Sequence, residues 1–139
     1  MYEMALFDEA GFDAAQRELI AVTWKMLHAI HTGDTALYAA HCLPELSCFE
    51  DVCAYRIDGV EFHTALVRQM AQNPDNAPSR FDMLSPRVQV YGDTGIVTYT
   101  RLMTYDRNGT PLWKTFNETR VFILTEGVWR MAHFHRSPT

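Results

Sequence analysis

The chain has 139 residues, 47% hydrophobic and 21% charged, the composition of one globular domain with a sizeable core and no room for a second. Its formal charge of −5, without a basic run anywhere, excludes a nucleic-acid surface. No apolar segment reaches the length of a membrane span, and Met1 to Ala15 is acidic, so neither a membrane partner nor export is expected and the chain reads as cytoplasmic.

Residues 1–12 read as an N-terminal arm, with Phe7 and Phe12 available to dock on a neighbour, and 13–139 as a single domain. Asp13-Ala-Ala-Gln16 is a capping-box pattern. Leu19, Ile20, Trp24, Leu27 and Ile30 recur at helical spacing after it, so a first helix is expected to about His31, closed by Gly33. His28 and His31 lie near its apolar stripe, where histidines are usually packed or exposed rather than catalytic. Asp34 caps a second helix through about His41, and Pro44 stops it. Leu46–Asp51 and Tyr55–Asp58 read as short strands. A third helix over Val60–Ala71 is expected to bury Phe62, Leu66, Val67 and Met70. Asn73–Pro78 is a loop. The cysteines Cys42, Cys48 and Cys53 are expected to be reduced. They lack the paired short spacings of a zinc site, so no metal or cofactor is expected.

From Arg80 the period changes from helical to alternating. Four strands are expected, Phe81–Tyr91, Gly95–Tyr105, Leu112–Leu124 and Val128–Arg136, joined as an antiparallel meander. With three helices covering one face, the fold class is α+β. Asn108-Gly109 is a strong two-residue turn signal that pairs Arg107 with Thr110, Arg101 with Phe116 and Tyr99 with Glu118. Thr125-Glu126-Gly127, read as a three-residue loop, pairs Leu124 with Val128, Arg120 with Ala132 and Phe116 with Arg136. Side chains alternate across a sheet, so these registers put Arg101, Arg120, Arg136, Glu118 and Tyr99 on one otherwise apolar face.

Several separated segments then carry a resemblance: Thr32-Gly-Asp34, Phe49-Glu50, Gly59-Val-Glu-Phe-His63, Tyr99-Thr-Arg101, Glu118-Thr-Arg120 and Trp129 to Ser137, with its His-Phe-His-Arg-Ser ending. From about Arg17 to Ser137 the chain resembles the association (hub) domain of calcium/calmodulin-dependent protein kinase II, within the superfamily of nuclear transport factor 2 and the SnoaL-like cyclases. The resemblance implies a cone-shaped curved sheet covered on its concave face by the helices. It also places Glu50 in the pocket. It implies that the arginines, with His63, line that pocket and bind small carboxylates. On this sequence no kinase domain, calmodulin segment or linker is expected before the domain, and the hub's signalling role is not expected to carry over.

Three arginines on one face need compensation. At separations of about 8 Å and an effective dielectric of about 20, each like-charged pair costs roughly 2 kcal/mol. Glu118 and Glu50 leave one positive charge, which a small organic carboxylate would balance through bidentate hydrogen bonds. The ligand-binding set is therefore Arg101, Arg120, Arg136, Glu118, Glu50, His63 and Tyr99. The strand His133-x-His135 puts both histidines on the opposite face, where Trp129, Met131, Val121, Thr119 and Asn117 are also expected. That face is read as the surface of a homo-oligomer, at least a dimer. An isomerase, dehydratase or cyclase of the SnoaL-like type is the alternative function. Carboxylates beside arginines are expected to have depressed pKa values, which disfavours a general base.

Overall fold

The computed structural model describes residues 9–139; Met1 to Asp8, including Phe7 of the expected arm, lie outside the described residues. The capping box forms as expected. Asp13 Oδ1 accepts from the Gln16 amide at 2.8 Å and Gln16 Oε1 accepts from the Asp13 amide at 2.9 Å, opening α1 (Ala14–Thr32). Gly33, at φ 80°, closes it in the left-handed conformation, which lets Asp34 cap α2 (Thr35–Ala40) at once. Helix α3 spans Val60–Ala71, but its buried face differs from the one expected. His63 and Thr64 point inward, Leu66, Val67 and Met70 are partly buried, and Phe62 is 61% exposed. The apolar stripe alone sets the helix a fraction of a turn away from where its neighbours hold it.

Six strands make one sheet in the order β2-β1-β6-β5-β4-β3, with β1 (Cys42–Phe49), β2 (Ile57–Asp58), β3 (Arg80–Tyr91), β4 (Thr94–Arg107), β5 (Thr110–Thr125) and β6 (Val128–Pro138). The four C-terminal strands form the antiparallel meander; β1 pairs parallel with β6 and so closes the chain's two halves on each other. Strand β1 starts at Cys42, earlier than the sequence suggests, because Pro44 falls in a stretch where pairing with β6 is interrupted and its missing N–H costs nothing.

The β4–β5 register matches the expectation through the whole hairpin, from Arg107↔Thr110 to Val97↔Arg120. The β5–β6 register does not. Glu126 and Gly127, at φ 53° and 77°, form a two-residue turn that pairs Thr125 with Val128 and Leu124 with Trp129. One step of slip reverses every side chain, so Trp129 and Met131 point inward and join the core at 4% and 0% exposure. The expectation that they form the outer face is therefore wrong. A bulge then restores the alternation: Phe122 pairs with Met131 but Val121 with His133, leaving Ala132 as the extra residue. Beyond it Phe134 faces Arg120 and Arg136 faces Glu118, one rung from the expected partners.

Helix α1 lies across β3 and β4, and α3 against β1. The approach of α1 is close enough to require glycine at 95. A Cβ there would sit 2.6 Å from Leu19 Cδ1, and Leu19 is fully buried. Gly95→Ala is expected to destabilise by about 1–3 kcal/mol through overpacking. The urea midpoint should fall with an unchanged slope, and pairing the change with Leu19→Ala should cost less than the two single losses added.

Candidate functional site

The inner face of the sheet carries three successive rungs: Val97, Arg120 and Phe134; Tyr99, Glu118 and Arg136; then Arg101 and Phe116. This geometry makes Glu118 the common neighbour of all three arginines. Arg101 Nη2 lies 2.8 Å from Glu118 Oε2, Arg120 Nη2 lies 3.6 Å from Oε1, and Arg136 Nε lies 3.9 Å from Oε2. The Arg101 approach is short but poorly aligned, so Glu118 Oε2 makes no hydrogen bond. Tyr99 donates its hydroxyl proton to Oε1 at 2.5 Å.

Arg120 is wholly buried and is held by acceptors on two sides. Its Nε donates to Tyr99 Oη at 2.8 Å and its Nη1 to Tyr38 Oη at 3.3 Å, while the guanidinium lies 4.2 Å over the Phe134 ring. Arg136 stacks over Phe116 at 3.6 Å and pairs with Asp51 at 3.2 Å. His63 sits behind this layer. Its Nε2 meets Tyr38 Oη at 2.9 Å, and its Nδ1 faces Cys48 Sγ at 3.4 Å and Glu50 Oε1 at 3.8 Å.

Between the sheet and the helices lies a cavity of about 380 Å³. Arg101, Arg120, Arg136, Glu50, Asp51 and Tyr38 give it one charged end; Leu27, Ile30, Val67, Met70, Phe81 and Met103 give it apolar walls. Of the expected site residues, the three arginines and Glu50 line this cavity, whereas Glu118, Tyr99 and His63 form the layer that holds them. His31 also lines it. Sequence reasoning missed Asp51 and Tyr38. Asp51 could have been suspected from its place beside Glu50, but Tyr38 has no signal, since it occupies an apolar position of α2.

Each charged group is set by its surroundings. Burial alone would raise Glu118, but Arg101, Arg120 and Arg136 outweigh it and hold its carboxyl below the usual range. Glu50 behaves oppositely to the expectation for a carboxylate beside arginines. Burial, reinforced by the negative Glu118, pushes it up to about 7 against the pull of Arg136, Arg101 and Arg120. Burial and then Arg120 bring His63 down to about 4, so its ring is neutral. Burial drives the Cys48 thiol up to about 12, which leaves it without nucleophilic character. Among the described residues, Arg101 Nε, Arg120 Nη2, Arg136 Nε and Glu50 Oε2 are buried polar atoms of the cavity that make no hydrogen bond. Among the described residues no cluster of histidine, cysteine and carboxylate groups could hold a metal ion.

Helices laid over a curved six-stranded sheet, with a polar cavity between the layers, define the cone-like α+β class of nuclear transport factor 2-like proteins. A putative ketosteroid isomerase from Parabacteroides distasonis shares this fold at a TM-score of 0.75, over 99% of this chain and 97% of that one, with 17% identity. More narrowly, the chain belongs to the calcium/calmodulin-dependent protein kinase II association-domain family, whose model matches residues 15–139. The delta subunit of calcium/calmodulin-dependent protein kinase type II from Oryctolagus cuniculus is 35% identical over 133 residues, 94% of this chain, and this chain spans only 25% of that protein. The S. rosetta hub of the same kinase matches at a TM-score of 0.78 and 28% identity, over 88% of this chain and 95% of that one. Among the described residues no helix is long and apolar enough to cross a membrane.

The raised Glu50 makes a prediction about stability. Between the usual carboxyl value of 4.5 and about 7 the folded protein holds a proton at Glu50 that the unfolded chain has lost. That proton's contribution is present at the acid end and fades as pH rises through 7. Subtracting the pH–stability curve of Glu50→Gln from that of wild type should therefore give a difference that falls across this window. A flat difference would mean that Glu50 titrates normally.

Proposed function

We propose that the chain is a self-associating binding module whose cavity takes a small organic carboxylate at its arginine end. The observation that carries this reading is three buried guanidinium groups on one cavity whose donors are incompletely bonded: Arg136 Nε and Arg120 Nη2 have only the ion-pair approaches of 3.2 Å to Asp51 and 3.6 Å to Glu118, without hydrogen-bond geometry. Arg101 Nε, Arg120 Nη2 and Arg136 Nε are buried without hydrogen bonds in residues that line one cavity. Leaving a buried donor unmet costs about 1–3 kcal/mol, more for a charged group. A carboxylate can accept from a guanidinium on two parallel bonds, while the apolar walls take the rest of the ligand.

Calorimetry with a panel of small carboxylates tests this. Wild type is expected to bind at least one. Arg136→Ala should lose binding together with ligand-induced thermal stabilisation, and Arg136→Lys should restore little of it because a lysine has no planar fork. Glu118→Gln should destabilise the free protein and tighten anion binding, since it removes the negative charge shared by three arginines. If no carboxylate binds wild type, or if Arg136→Ala binds equally well, the arginines are structural.

Self-association is assigned to the outer sheet face. Phe49, 41% exposed, packs edge-on against His133 and also contacts His135, and Ser47 meets His133 Nδ1 at 2.8 Å. Val121 and Thr119 continue the face on β5. Light scattering should find at least a dimer, whose interface would exceed about 1,000 Å². Within one chain, burial and the neighbouring His135 already lower His133, so charging it is unfavourable. The assembly should therefore loosen at about pH 5 relative to about pH 8, and His133→Gln should remove that difference.

A catalytic reading of the SnoaL-like type also has one observation behind it. Glu50 has a pKa of about 7 in the cavity, which suits a general base near neutrality. Solvent-deuterium exchange into a panel of small ketones, lost in Glu50→Gln, would support it over simple binding.

A further inference from the structure

We infer that capture of an anion by the three arginines is coupled to the uptake of one proton by Glu50, so that the site takes a carboxylate and a proton together. This rests on the carboxylate reading above and says how the site is regulated. Glu50 is 9% exposed and lines the same cavity as the arginines, and its Oε2 has no hydrogen-bond partner.

The donor arithmetic of the buried layer shows which group can accept that proton. Arginine only donates, so both tyrosine oxygens accept from Arg120. Each hydroxyl proton must then go elsewhere: that of Tyr99 to Glu118 at 2.5 Å, that of Tyr38 to His63 Nε2 at 2.9 Å. His63 therefore accepts at Nε2 and carries its own proton on Nδ1, towards Glu50 Oε1. A second proton on His63 would break the bond from Tyr38 and place a cation beside Arg120, and its pKa of about 4 agrees. Glu118 faces three guanidinium groups and stays ionised. Cys48 and Tyr38 are held protonated by burial.

Glu50 is thus the member of this layer able to change charge near neutrality. The charges around it come from every packed element: Asp51 beside it, Arg101 on β4, Glu118 and Arg120 on β5 and Arg136 on β6. His63 on α3 and Tyr38 on α2 are neutral. His31 on α1 and Lys114 share the cavity. Lys114 apart, whose charge adds to the positive side, three arginines against Glu118 and Asp51 leave one positive charge. Ionised Glu50 cancels that charge; protonated Glu50 leaves it for a ligand. An incoming carboxylate and the Glu50 carboxylate therefore compete, and binding the first raises the proton affinity of the second. The proton comes from solvent and ends on a Glu50 oxygen, with no bond made or broken in the ligand.

The test uses benzoate and acetate as probes in calorimetry at about pH 6 and about pH 8, in two buffers of different ionisation enthalpy. In wild type, proton uptake should be near zero at the lower pH and approach one per site at the higher. Affinity should be level below about pH 7 and fall by up to about tenfold per unit above it. Glu50→Gln, a neutral isostere, should bind at the higher pH as tightly as wild type does at the lower, without uptake. Carbon-13 NMR titration of the Glu50 carboxyl in wild type, with and without benzoate, provides a second readout, in which the pKa should rise on binding. Binding without proton uptake at the higher pH, or an unmoved Glu50 titration, overturns this inference and leaves the carboxylate site standing. No binding of either probe at the lower pH, where Glu50 already holds its proton, overturns both.

Discussion

Everything in the polar half of this domain depends on Glu118. It is a buried carboxylate in the middle of the sheet, with an arginine on each of three strands around it. Removing an ion from water costs several kcal/mol, and only good pairing repays it. Here the repayment is mutual: the arginines keep Glu118 ionised, and Glu118 keeps three cations within one small volume. Tyr99 and Tyr38 extend the arrangement by accepting from Arg120 and passing their own protons outward. The cavity is therefore less a gap in the core than the open side of this charged layer, and its apolar walls follow from α1 and α3 meeting the rest of the inner face.

Much of this was legible in the sequence because it lies on consecutive strands joined by short turns. Asn108-Gly109 allows one hairpin geometry, and every pairing derived from it holds. The turn at Thr125–Val128 is ambiguous, since Glu126 is not a residue from which a left-handed conformation would be read. Reading three loop residues instead of two moved the register by one step. The Ala132 bulge shifts it by another, and two displacements leave the parity intact, so Phe134 and Arg136 keep the expected face. Trp129 and Met131 lie between the turn and the bulge, where only one displacement acts, so the expected face is the wrong one for them. Nothing local marks the bulge, as it is fitted to the core that Met131 enters.

The residues that escaped the sequence come from elements whose position no turn dictates. Tyr38, Asp51 and the inward face of α3 depend on how β1 pairs in parallel with β6, a contact between the two ends of the domain. The expected burial of Phe62 failed for the same reason. The apolar residues of α3 define a stripe, but its rotation is set by His63, which is needed beneath Tyr38, and by Thr64, which bonds its own helix backbone.

Glu50 and Glu118 show why residue type cannot decide the chemistry of such a site. Both are glutamates, both are buried, and both feel the same three arginines, yet they are driven in opposite directions. Glu118 touches the guanidinium groups within one rung of the sheet. Glu50 reaches the layer from the end of β1, where its close polar neighbour is the neutral His63 and the ionised Glu118 repels its charge. The same arginines cannot satisfy two carboxylates equally, and the one that reaches them first makes the other easier to protonate. A carboxylate entering the cavity, as proposed above, would stand in the same relation to Glu50 as Glu118 does. The pairing that holds the fold together is also what leaves this second glutamate open to titration.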